Sequence, residues 1–355
     1  MKKVLGILLA ASMILGSLAG CASSGSDSNA TTTEDKTATA ETAGEETSEV
    51  NADETYVFMC PLSTLEYWQA YRVGLENACE ELGVTAKFLG DDGLEADAMC
   101  AILETAINDP TTAGIIMPGH FPEAYAPYYE MAWEKGIPVV TVTQDVPNSK
   151  RITWIGTDYV KYGAIMMDQA AEATGEKGDV IVSNALSAGS SSAEDIMTGI
   201  RSQVEKYPNM KIVAEVDDQS DAAVAATKIG AALLANPDTA VVIGGQAPSA
   251  VGAVTAIKEA GLSGQVQVIS IDRDAATLEY VKNGDIYSTV AGKQYTEAYY
   301  GMKICYDFNH GSKHAFSNDD TVANMVIAPE AIDTGALIIN SDNVDYFLDF
   351  SYVDQ

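Results

Sequence analysis

The chain has 355 residues, of which 47% are hydrophobic and 20% are charged, which is enough material for two globular domains that each bury a sizeable core. Its 51 acidic and 20 basic residues give a formal net charge of −31. A surface this acidic repels nucleic-acid phosphates and anionic lipid headgroups, so we expect no nucleic-acid partner.

Residues 1–20 predict a signal peptide, because Lys2 and Lys3 precede an apolar stretch over 4–18 that is too short to require a membrane-span interpretation. Residues 18–21 are Leu-Ala-Gly-Cys, which resembles a bacterial lipobox. This resemblance implies cleavage before Cys21, lipidation of its thiol, and anchoring to the extracytoplasmic face of the cell membrane. The alternative is an ordinary secreted protein in which this cysteine occurs by chance.

The segment 21–54 predicts a lipidated cysteine followed by a disordered tether. After Cys21 it consists mainly of Ser, Thr, Ala, Gly, Asp and Glu, and it cannot bury enough apolar surface to offset its ordering entropy. A flexible coil of this length spans roughly 30 Å. No later segment of the sequence is apolar over a length that could cross a bilayer.

The folded part begins with a buried strand over 56–61, a loop over 62–66 and a helix. Ligands of open α/β sheets bind outside the carboxyl ends of strands, which is where this loop lies. Tyr67 and Trp68 stand at the start of the helix, and adjacent helical positions point about 100° apart. We therefore expect at least one ring to leave the core face and to flank a ligand with apolar faces and polar edges, such as a sugar. Core packing of both rings is the alternative.

Strand and helix patterns then alternate with short connections. Further strands are predicted over 84–89, 114–117, 139–143, 153–155, 180–183, 212–216, 240–243, 266–271 and 286–290. Helices are predicted over 94–107, 123–135, 162–173, 192–207, 221–235, 249–260, 275–283 and 295–309. This alternation predicts an α/β protein with two parallel sheets of about five strands, each covered on both faces. The boundary is expected near Asp158, and the tail over 322–355 is expected to form a strand and irregular closing segments.

The sequence lacks the motifs of the common catalytic and cofactor sites. It contains no G-x-G-x-x-G after a strand, no G-x-x-x-x-G-K-[ST] and no G-x-S-x-G, and its scattered cysteines and three histidines offer no metal-binding spacing. We therefore expect neither an enzyme nor a cofactor. His120 follows the third predicted strand, where contact with a ligand and a surface role remain open.

Four cysteines besides Cys21 have two interpretations. Cys60, Cys79, Cys100 and Cys305 could form two disulfides, with three pairings, or remain buried free thiols. The sequence does not decide between these interpretations.

Several motifs over 56–345 together resemble the type I periplasmic sugar-binding proteins, the ribose- and galactose-binding group. The matching residues are the aromatic pair at 67–68, Gly-Ile-Pro-Val-Val-Thr at 136–141, Trp-Ile-Gly-Thr-Asp at 154–158, Ile-Ser-Ile-Asp at 269–272 and Asn-Gly-Asp-Ile at 283–286. Members of this group are substrate-binding components of ABC importers, and in monoderm bacteria they are lipoproteins. The resemblance implies two Rossmann-like lobes with parallel sheets, joined by a three-segment hinge.

The resemblance also implies the domain boundaries. The first lobe takes residues 55–158 plus 293–321, and the second takes 159–292 plus 322–355. The chain crosses between the lobes near Asp158, near Gly292 and near Thr321. Ligand that touches both lobes stabilises their closure.

The family's ligand-binding positions correspond to particular residues of this chain. Tyr67 and Trp68 match the aromatic rings beside the sugar, and Gln246 matches an Asn of the second lobe. Asp272 matches an Asp that accepts hydrogen bonds from hydroxyl groups. The alternative for Asp272 is an N-cap of the helix that begins near Ala275.

At other positions the chain departs from the family pattern. Thr143 and Gln144 stand where the family has Asp-Arg, with Asp145 nearby as a further ligand-binding candidate. Ile196 replaces an Arg. Gly292 replaces a Gln, and Lys293 follows it as another candidate. The expected pocket is therefore less charged than a ribose site. Arg273 and Lys293 are its basic candidates, which disfavours a multiply anionic ligand.

These observations favour a monomeric, membrane-tethered solute-binding lipoprotein that binds a small neutral polar molecule, a sugar or related polyol, and delivers it to an ABC permease. Alternatives are a ligand-sensing receptor for a two-component or chemotaxis partner, and a binder of a non-sugar polar solute. LacI-type repressors share this core, but the signal peptide, the missing helix-turn-helix motif and the acidic charge argue against a transcription regulator.

Overall fold

The computed structural model describes residues 53–188, 191–310 and 328–348. The predicted signal peptide, the lipidation site Cys21 and almost all of the predicted tether lie outside the described residues. Thr321, where the third crossover was expected, also lies outside them. The described residues form the two lobes and the connections between them.

The element order is a regular alternation of strands and helices. The strands are β1 (Thr55–Cys60), β2 (Thr85–Gly90), β3 (Thr112–Pro118), β4 (Val139–Val142), β5 (Thr153–Gly156), β6 (Gly178–Asn184), β7 (Met210–Asp217), β8 (Thr239–Gly244), β9 (Gln267–Ile271), β10 (Ser288–Ala291), β11 (Ala331–Asp333) and β12 (Leu337–Asn340). The helices are α1 (Gln69–Leu82), α2 (Ala96–Asn108), α3 (Pro122–Glu134), α4 (Tyr159–Thr174), α5 (Ser191–Val204), α6 (Ala222–Ala235), α7 (Ala247–Glu259), α8 (Ala275–Lys282), α9 (Gln294–His310) and α10 (Val344–Leu348). Short 3₁₀ turns cover Glu66–Trp68 and Leu186–Ala188.

Two six-stranded sheets form the centres of two lobes. The first has the order β2-β1-β3-β4-β5-β11, and all its strand pairs are parallel. The second has the order β7-β6-β8-β9-β10-β12, in which only the pair β10–β12 is antiparallel. The prediction of an α/β fold with two largely parallel sheets is confirmed. The ten strands predicted over 56–290 did not include β11 and β12, and the tail, which was expected to form one strand, supplies both.

Each sheet is buried between helices on both faces. In the first lobe, α1 and α9 pack on one face and α2 and α3 on the other. In the second lobe, α4 and α5 cover one face, while α6, α7 and α8 cover the other. Strands such as β1 and β4 are buried at every position, which explains why they appear as predominantly apolar runs rather than alternating patterns.

Within the described residues, the chain crosses between the lobes three times. Residues 157–158 connect β5 to α4, and residues 292–293 connect β10 to α9. The third crossover occupies 334–336, because β11 pairs with β5 in the first sheet whereas β12 pairs with β10 in the second. The assignment of all of 322–355 to the second lobe is therefore wrong for 331–333. A three-residue edge strand carries no periodic signal, and its sheet is decided by partners far away in sequence.

The four cysteines in the described part of the chain, Cys60, Cys79, Cys100 and Cys305, are free and buried. Burial raises the pKa of the Cys60 and Cys79 thiols to about 12, so both are protonated at neutral pH. Among the described residues, no helix combines the length and apolarity needed to cross a membrane.

Candidate functional site

A cavity of about 280 Å³ lies between the two lobes, at the carboxyl ends of both sheets. From the first lobe it is lined by residues that follow β1, β3 and β4 and by the start of α9, and from the second by the start of α4, by α5 and by residues that follow β8 and β9. Its volume is at the lower end of the ~300–1,000 Å³ of small-molecule pockets. The site therefore fits a small solute that touches both lobes.

The aromatic pair that follows β1 forms one wall of this cavity. Tyr67 is 38% exposed, whereas Trp68 is 3% exposed. The two rings meet edge to face with their centroids 4.9 Å apart, and Trp68 also packs 6.1 Å from Phe58 and 5.3 Å from Tyr71. The expectation that the two rings differ in burial is thus met, with Tyr67 the ring that leaves the core. Trp68 both packs in the core and lines the cavity.

Two polar ring atoms on this wall are buried without a hydrogen-bond partner among the described residues. They are Trp68 Nε1 and His120 Nδ1, and the two rings lie 6.1 Å apart. Burial lowers the pKa of His120 to about 4, so the imidazole is neutral at physiological pH and offers one donor and one acceptor. A buried polar group is costly without a partner, so both atoms favour a ligand with polar groups of its own.

The loop after β4 supplies Thr143 and Gln144 to the cavity. Thr143 has a φ of +54°, a region that is rarely occupied by β-branched residues. Its carbonyl accepts a hydrogen bond of 2.8 Å from Trp154 Nε1, and its hydroxyl donates one of 2.5 Å to Gln144 Oε1. These contacts hold the strained backbone in place and aim both side chains at the cavity.

Asp145, which was predicted to bind ligand, has a structural role instead. Its carboxylate accepts hydrogen bonds from Arg151 Nε at 2.5 Å and Arg151 Nη2 at 2.6 Å, and from the Thr141 hydroxyl at 2.9 Å. Arg151 also donates to the carbonyl of Glu330, which precedes β11. Asp145 does not line the cavity, because this bidentate ion pair turns it towards the body of the lobe and fixes the β4 loop.

Glu297, in the first turn of α9, is a buried acid that sequence reasoning did not select. It is 3% exposed, and its carboxylate accepts hydrogen bonds from the Tyr71 hydroxyl at 2.7 Å and from the backbone N–H of Thr143. Burial raises its pKa to about 7, although both hydrogen bonds oppose the rise. Glu297 lines the cavity and links α1, α9 and the β4 loop.

Asp272 follows β9 and lines the cavity from the second lobe. It has a φ of +69°, and its backbone is fixed by hydrogen bonds to the Val290 carbonyl at 2.9 Å and from the Thr289 hydroxyl at 2.6 Å. Burial raises its pKa to about 6, with Asp274 adding to the rise and Arg273 opposing it. The N-cap of α8 is Asp274, so the helix-cap alternative for Asp272 is wrong.

The rest of the second-lobe wall combines an amide with aromatic rings. Gln246 lines the cavity, and its amide donates a hydrogen bond of 3.4 Å to Asn184 Oδ1. Tyr159 and Tyr162, from the first turn of α4, also line it with ring centroids 6.0 Å apart. The hydroxyl of Tyr162 donates to the Val290 carbonyl at 2.9 Å. A mixture of ring faces and amide edges suits a molecule with both apolar and polar surface.

Lys293, the last predicted ligand-binding residue, does not line the cavity. Its ammonium lies 3.8 Å from the position that a Cβ on Gly335 would occupy, in the third crossover. Ile196 and Gly292, the two departures from the family pattern, do line the cavity. The structure therefore brings six predicted residues to the cavity and leaves two, Asp145 and Lys293, elsewhere; the six are Tyr67, Trp68, Thr143, Gln144, Gln246 and Asp272.

Some lining residues were not predicted to bind ligand. They include Tyr71, Tyr159, Tyr162, Gln294 and Glu297. The first three carry apolar helix-face patterns that are typical of core residues, and the last two lie in the first turn of α9, where the sequence does not show which side chains face the cavity. The one available signal was an acid, Glu297, in a helix whose neighbouring turns are apolar.

The described residues contain no group of three or more His, Cys, Asp or Glu side chains arranged to hold a metal ion. The side chains that meet in the cavity are ring faces, amides and two carboxylates. Such groups bind hydrogen-bonding solutes and orient them. The geometry is that of a two-lobed binding protein whose ligand is held at the carboxyl ends of two parallel sheets.

Comparison with known proteins places the chain in this class. The profile of the family described as "Periplasmic binding protein domain" matches residues 56–313, which is most of the chain. The chain therefore belongs to the periplasmic binding protein family. The resemblance inferred from the motifs is confirmed, and so is the expectation of a binding protein rather than an enzyme, because the family and the relatives below are binding proteins.

Individual relatives include a xylitol-binding protein of Mycolicibacterium smegmatis, 28% identical over 53% of this chain and 53% of its own length. The chain thus matches about half the length of that relative. A D-allose-binding periplasmic protein of Escherichia coli is 24% identical over 70% of this chain and 82% of its length. Among solved structures, an arabinose-binding protein from Geobacillus stearothermophilus has a TM-score of 0.76 and 27% identity, and the match covers 83% of this chain and 99% of that one.

Proposed function

We propose that this chain is an extracytoplasmic solute-binding lipoprotein that captures a sugar or related polyol between its two lobes and delivers it to an ABC permease. The observation that carries this proposal is the interlobe cavity, in which aromatic rings lie beside amide and carboxylate groups. Rings pack on the apolar faces of a sugar, while amides and carboxylates hold its hydroxyl groups.

The residues proposed to contact the ligand come from both lobes. Tyr67, Trp68, Thr143 and Gln144 belong to the first, and Gln246 and Asp272 to the second; His120, Gln294 and Glu297 are added from the geometry. A ligand that bridges these two sets stabilises the closed arrangement of the lobes by its contacts to both.

The names of the relatives support the ligand class. The three relatives are described as binding xylitol, D-allose and arabinose, which are a polyol, a hexose and a pentose. The size of the cavity, about 280 Å³, suits a single sugar unit better than an oligosaccharide. The proposed ligand is accordingly a monosaccharide or an alditol.

Titration calorimetry of the full chain with pentoses, hexoses and alditols tests the binding step. We expect at least one of them to bind with a Kd in the micromolar range or below. Gln246→Ala should lower the affinity for that ligand at least tenfold, because Gln246 lines the cavity. Glu259→Gln, on the exposed surface at the end of α7, should leave the affinity unchanged. Absence of binding across all three groups of solutes would refute the proposed ligand class.

The lipid anchor and the delivery step need separate experiments in cells. Cys21→Ala should abolish incorporation of labelled fatty acid and release the protein from the membrane fraction, because the thiol at the predicted cleavage point is the lipidation site. Uptake of the labelled ligand should fall when the gene is deleted. Normal uptake together with loss of a ligand-induced transcriptional response would instead identify a sensory receptor.

A further inference from the structure

The interlobe cavity has negative groups on both sides and, among the described residues that line it, no lysine or arginine. Glu297 enters from the first lobe and Asp272 from the second. The nearest basic candidates do not reach the cavity wall: the ammonium of Lys293 lies by Gly335, and Arg273 lies beside Asp272 without lining the cavity. An anionic ligand would find no counter-charge at this site, whereas a cationic one would find two.

Aromatic rings surround the same space as the two carboxylates. Burial raises the pKa of Tyr67, Tyr159 and Tyr162, and the negative charges of Asp272 and Glu297 raise it further for all three tyrosines. Each of these rings therefore lies within electrostatic reach of both acids. The π faces of tyrosine attract cations, so the rings favour a positive group as the carboxylates do.

A gap at Gly292 is bordered by an amide and a carboxylate. A Cβ at this position would lie 3.6 Å from the amide nitrogen of Gln294 and 3.9 Å from Glu297 Oε1, so the glycine leaves space that both side chains border. Gln294 is 4% exposed, and its Oε1 is buried without a hydrogen-bond partner in the described part of the chain. The open space beside Glu297 is an observation independent of the charges, and it leaves room for a ligand group next to this carboxylate.

Two further lining residues, Ile196 and Gly292, carry no hydrogen-bonding side chain. The carboxylates of Glu297 and Asp272 are therefore the ionisable acids at the cavity wall, and a positive group on the ligand would complement them.

We infer that the ligand is an amine-bearing sugar or polyol whose ammonium group lies by Gly292, donating a hydrogen bond to Glu297 and facing Asp272 across the cavity. An ammonium group has three donors and one positive charge, which matches two carboxylates better than a hydroxyl group does. The inference rests on the proposed function, because the remainder of the ligand is the polyhydroxy body proposed above. It replaces the expectation of an uncharged ligand.

The test is a comparison of matched ligands on the full chain at pH 7. Calorimetry should compare sugars and alditols with counterparts in which one hydroxyl is replaced by an amine, and with the N-acetyl derivatives, which keep the bulk but lose the charge. An alkyl amine has a pKa near that of lysine and stays charged at this pH. We expect at least one amine to bind ten or more times more tightly than both its hydroxyl parent and its acetylated form.

Two near-isosteric variants test whether the cavity carboxylates cause the preference for the amine. Glu297→Gln and Asp272→Asn should each reduce the ratio of amine to hydroxyl affinity at least fivefold, because each removes a carboxylate that a bound ammonium group would hold in its charged form. Glu259→Gln removes a charge from the exposed surface outside it and should leave the ratio unchanged. A ratio that falls equally in this control would assign the preference to the overall charge of −31 and overturn the inference.

The wild-type titration by itself separates the two proposals, so the test does not depend on whether a variant folds. Hydroxyl parents that bind as tightly as their amines, or more tightly, would overturn the ammonium site and leave the proposed function standing. A chain that binds no member of either series would overturn both. Melting curves and circular dichroism of each variant identify any that is unfolded.

Discussion

At the scale of single residues, the site depends on side chains that hold each other in position. Glu297 connects the Tyr71 hydroxyl to the backbone of Thr143, and Arg151 holds Asp145 away from the cavity. Thr143 and Asp272 occupy left-handed backbone conformations at the ends of β4 and β9, the corresponding strands of the two sheets. Such strain persists only where surrounding contacts enforce it, and it is frequent at binding sites.

The two rings of the aromatic wall should respond differently to truncation. Tyr67→Ala should lower ligand affinity at least tenfold with little change in Tm, because Tyr67 is 38% exposed. Trp68→Ala should also reduce the free energy of unfolding by about 3 kcal/mol or more, because Trp68 is packed against Phe58 and Tyr71. Calorimetric titration and urea unfolding of both variants measure the two effects. Equal losses of stability would contradict the difference in burial.

Asp272 should make ligand affinity depend on pH. A ligand that donates hydrogen bonds to the carboxylate favours its charged form, so binding lowers a pKa that is about 6 in the free protein and releases a proton. Affinity should therefore rise as the pH increases from 5 towards 7, and ionisation of Glu297, whose pKa is about 7, should extend the rise towards pH 8. Titrations in buffers of different ionisation enthalpy would detect the released proton. A flat profile between pH 5 and 7 would show that Asp272 does not contact the ligand.

The same acid should destabilise the ligand-free protein at neutral pH. Because its folded pKa is raised above the value of about 3.9 for an exposed Asp, its contribution to stability is greatest below the unfolded pKa and falls as the pH rises through 6. Asp272→Asn should thus gain stability relative to wild type between pH 4 and pH 8, by about 3 kcal/mol. His120 changes stability with pH in the opposite sense, because its pKa is lowered. It is present in both proteins, so the difference between their melting curves isolates the contribution of Asp272.

At the scale of elements, close packing of helices determines where the second-lobe wall stands. In α4, a Cβ on Gly163 would lie 2.0 Å from the carbonyl oxygen of Ile196 in α5, and a Cβ on Gly199 would lie 2.0 Å from that of Val160. The two helices can therefore approach only because both positions are glycine. Ile196 also lines the cavity, so the helix contact controls the shape of the site.

Gly163→Ala should force α4 and α5 apart. We expect a loss of about 1–3 kcal/mol in unfolding free energy and a weaker affinity for ligand, because the displaced α5 carries Ile196. Gly230→Ala is the matched control: it also lies within a helix, but its nearest neighbour outside that helix is 4.0 Å from the added Cβ. The control should gain up to about 1 kcal/mol from helix propensity. A loss in the control as large as that in Gly163→Ala would contradict the close-contact explanation.

At the scale of the whole molecule, the ligand is proposed to act as a link between two separately packed lobes. Each lobe has its own sheet and its own helices, and the described chain passes between them at 157–158, 292–293 and 334–336. A ligand that touches both walls adds contacts across a boundary where the covalent connections are short. Its binding energy then stabilises the closed form of both lobes together.

Hydrogen exchange should therefore slow in both sheets when ligand is added. At 100 times Kd, binding adds about 2.7 kcal/mol to the stability of the bound protein. Amides of β4 in the first sheet and of β9 in the second should show comparable increases in protection, measured by mass spectrometry. Protection confined to one sheet would indicate that the ligand binds a single lobe.

The amino-acid sequence by itself determined the class of fold and the rim of the site. Continuous apolar runs separated by amphipathic helices permit only parallel, doubly covered sheets, and ligand-binding loops then follow the strands. Tyr67 was found in this way, because it follows the loop after the first predicted strand, whereas Thr143, Gln246 and Asp272 were assigned from the resemblance to the family. The order of the sequence motifs along the chain also indicated the protein family.

Tertiary structure alone decided which of two neighbouring polar residues faces the cavity. Asp145 and Asp272 both follow strands, but Arg151 ties Asp145 to the lobe whereas the backbone contacts of Asp272 aim it at the ligand space. Glu297 entered the site, and β11 joined the first sheet, through contacts with residues that are far away in sequence. Local periodicity contains no information about such contacts, because they form only when distant segments pack together.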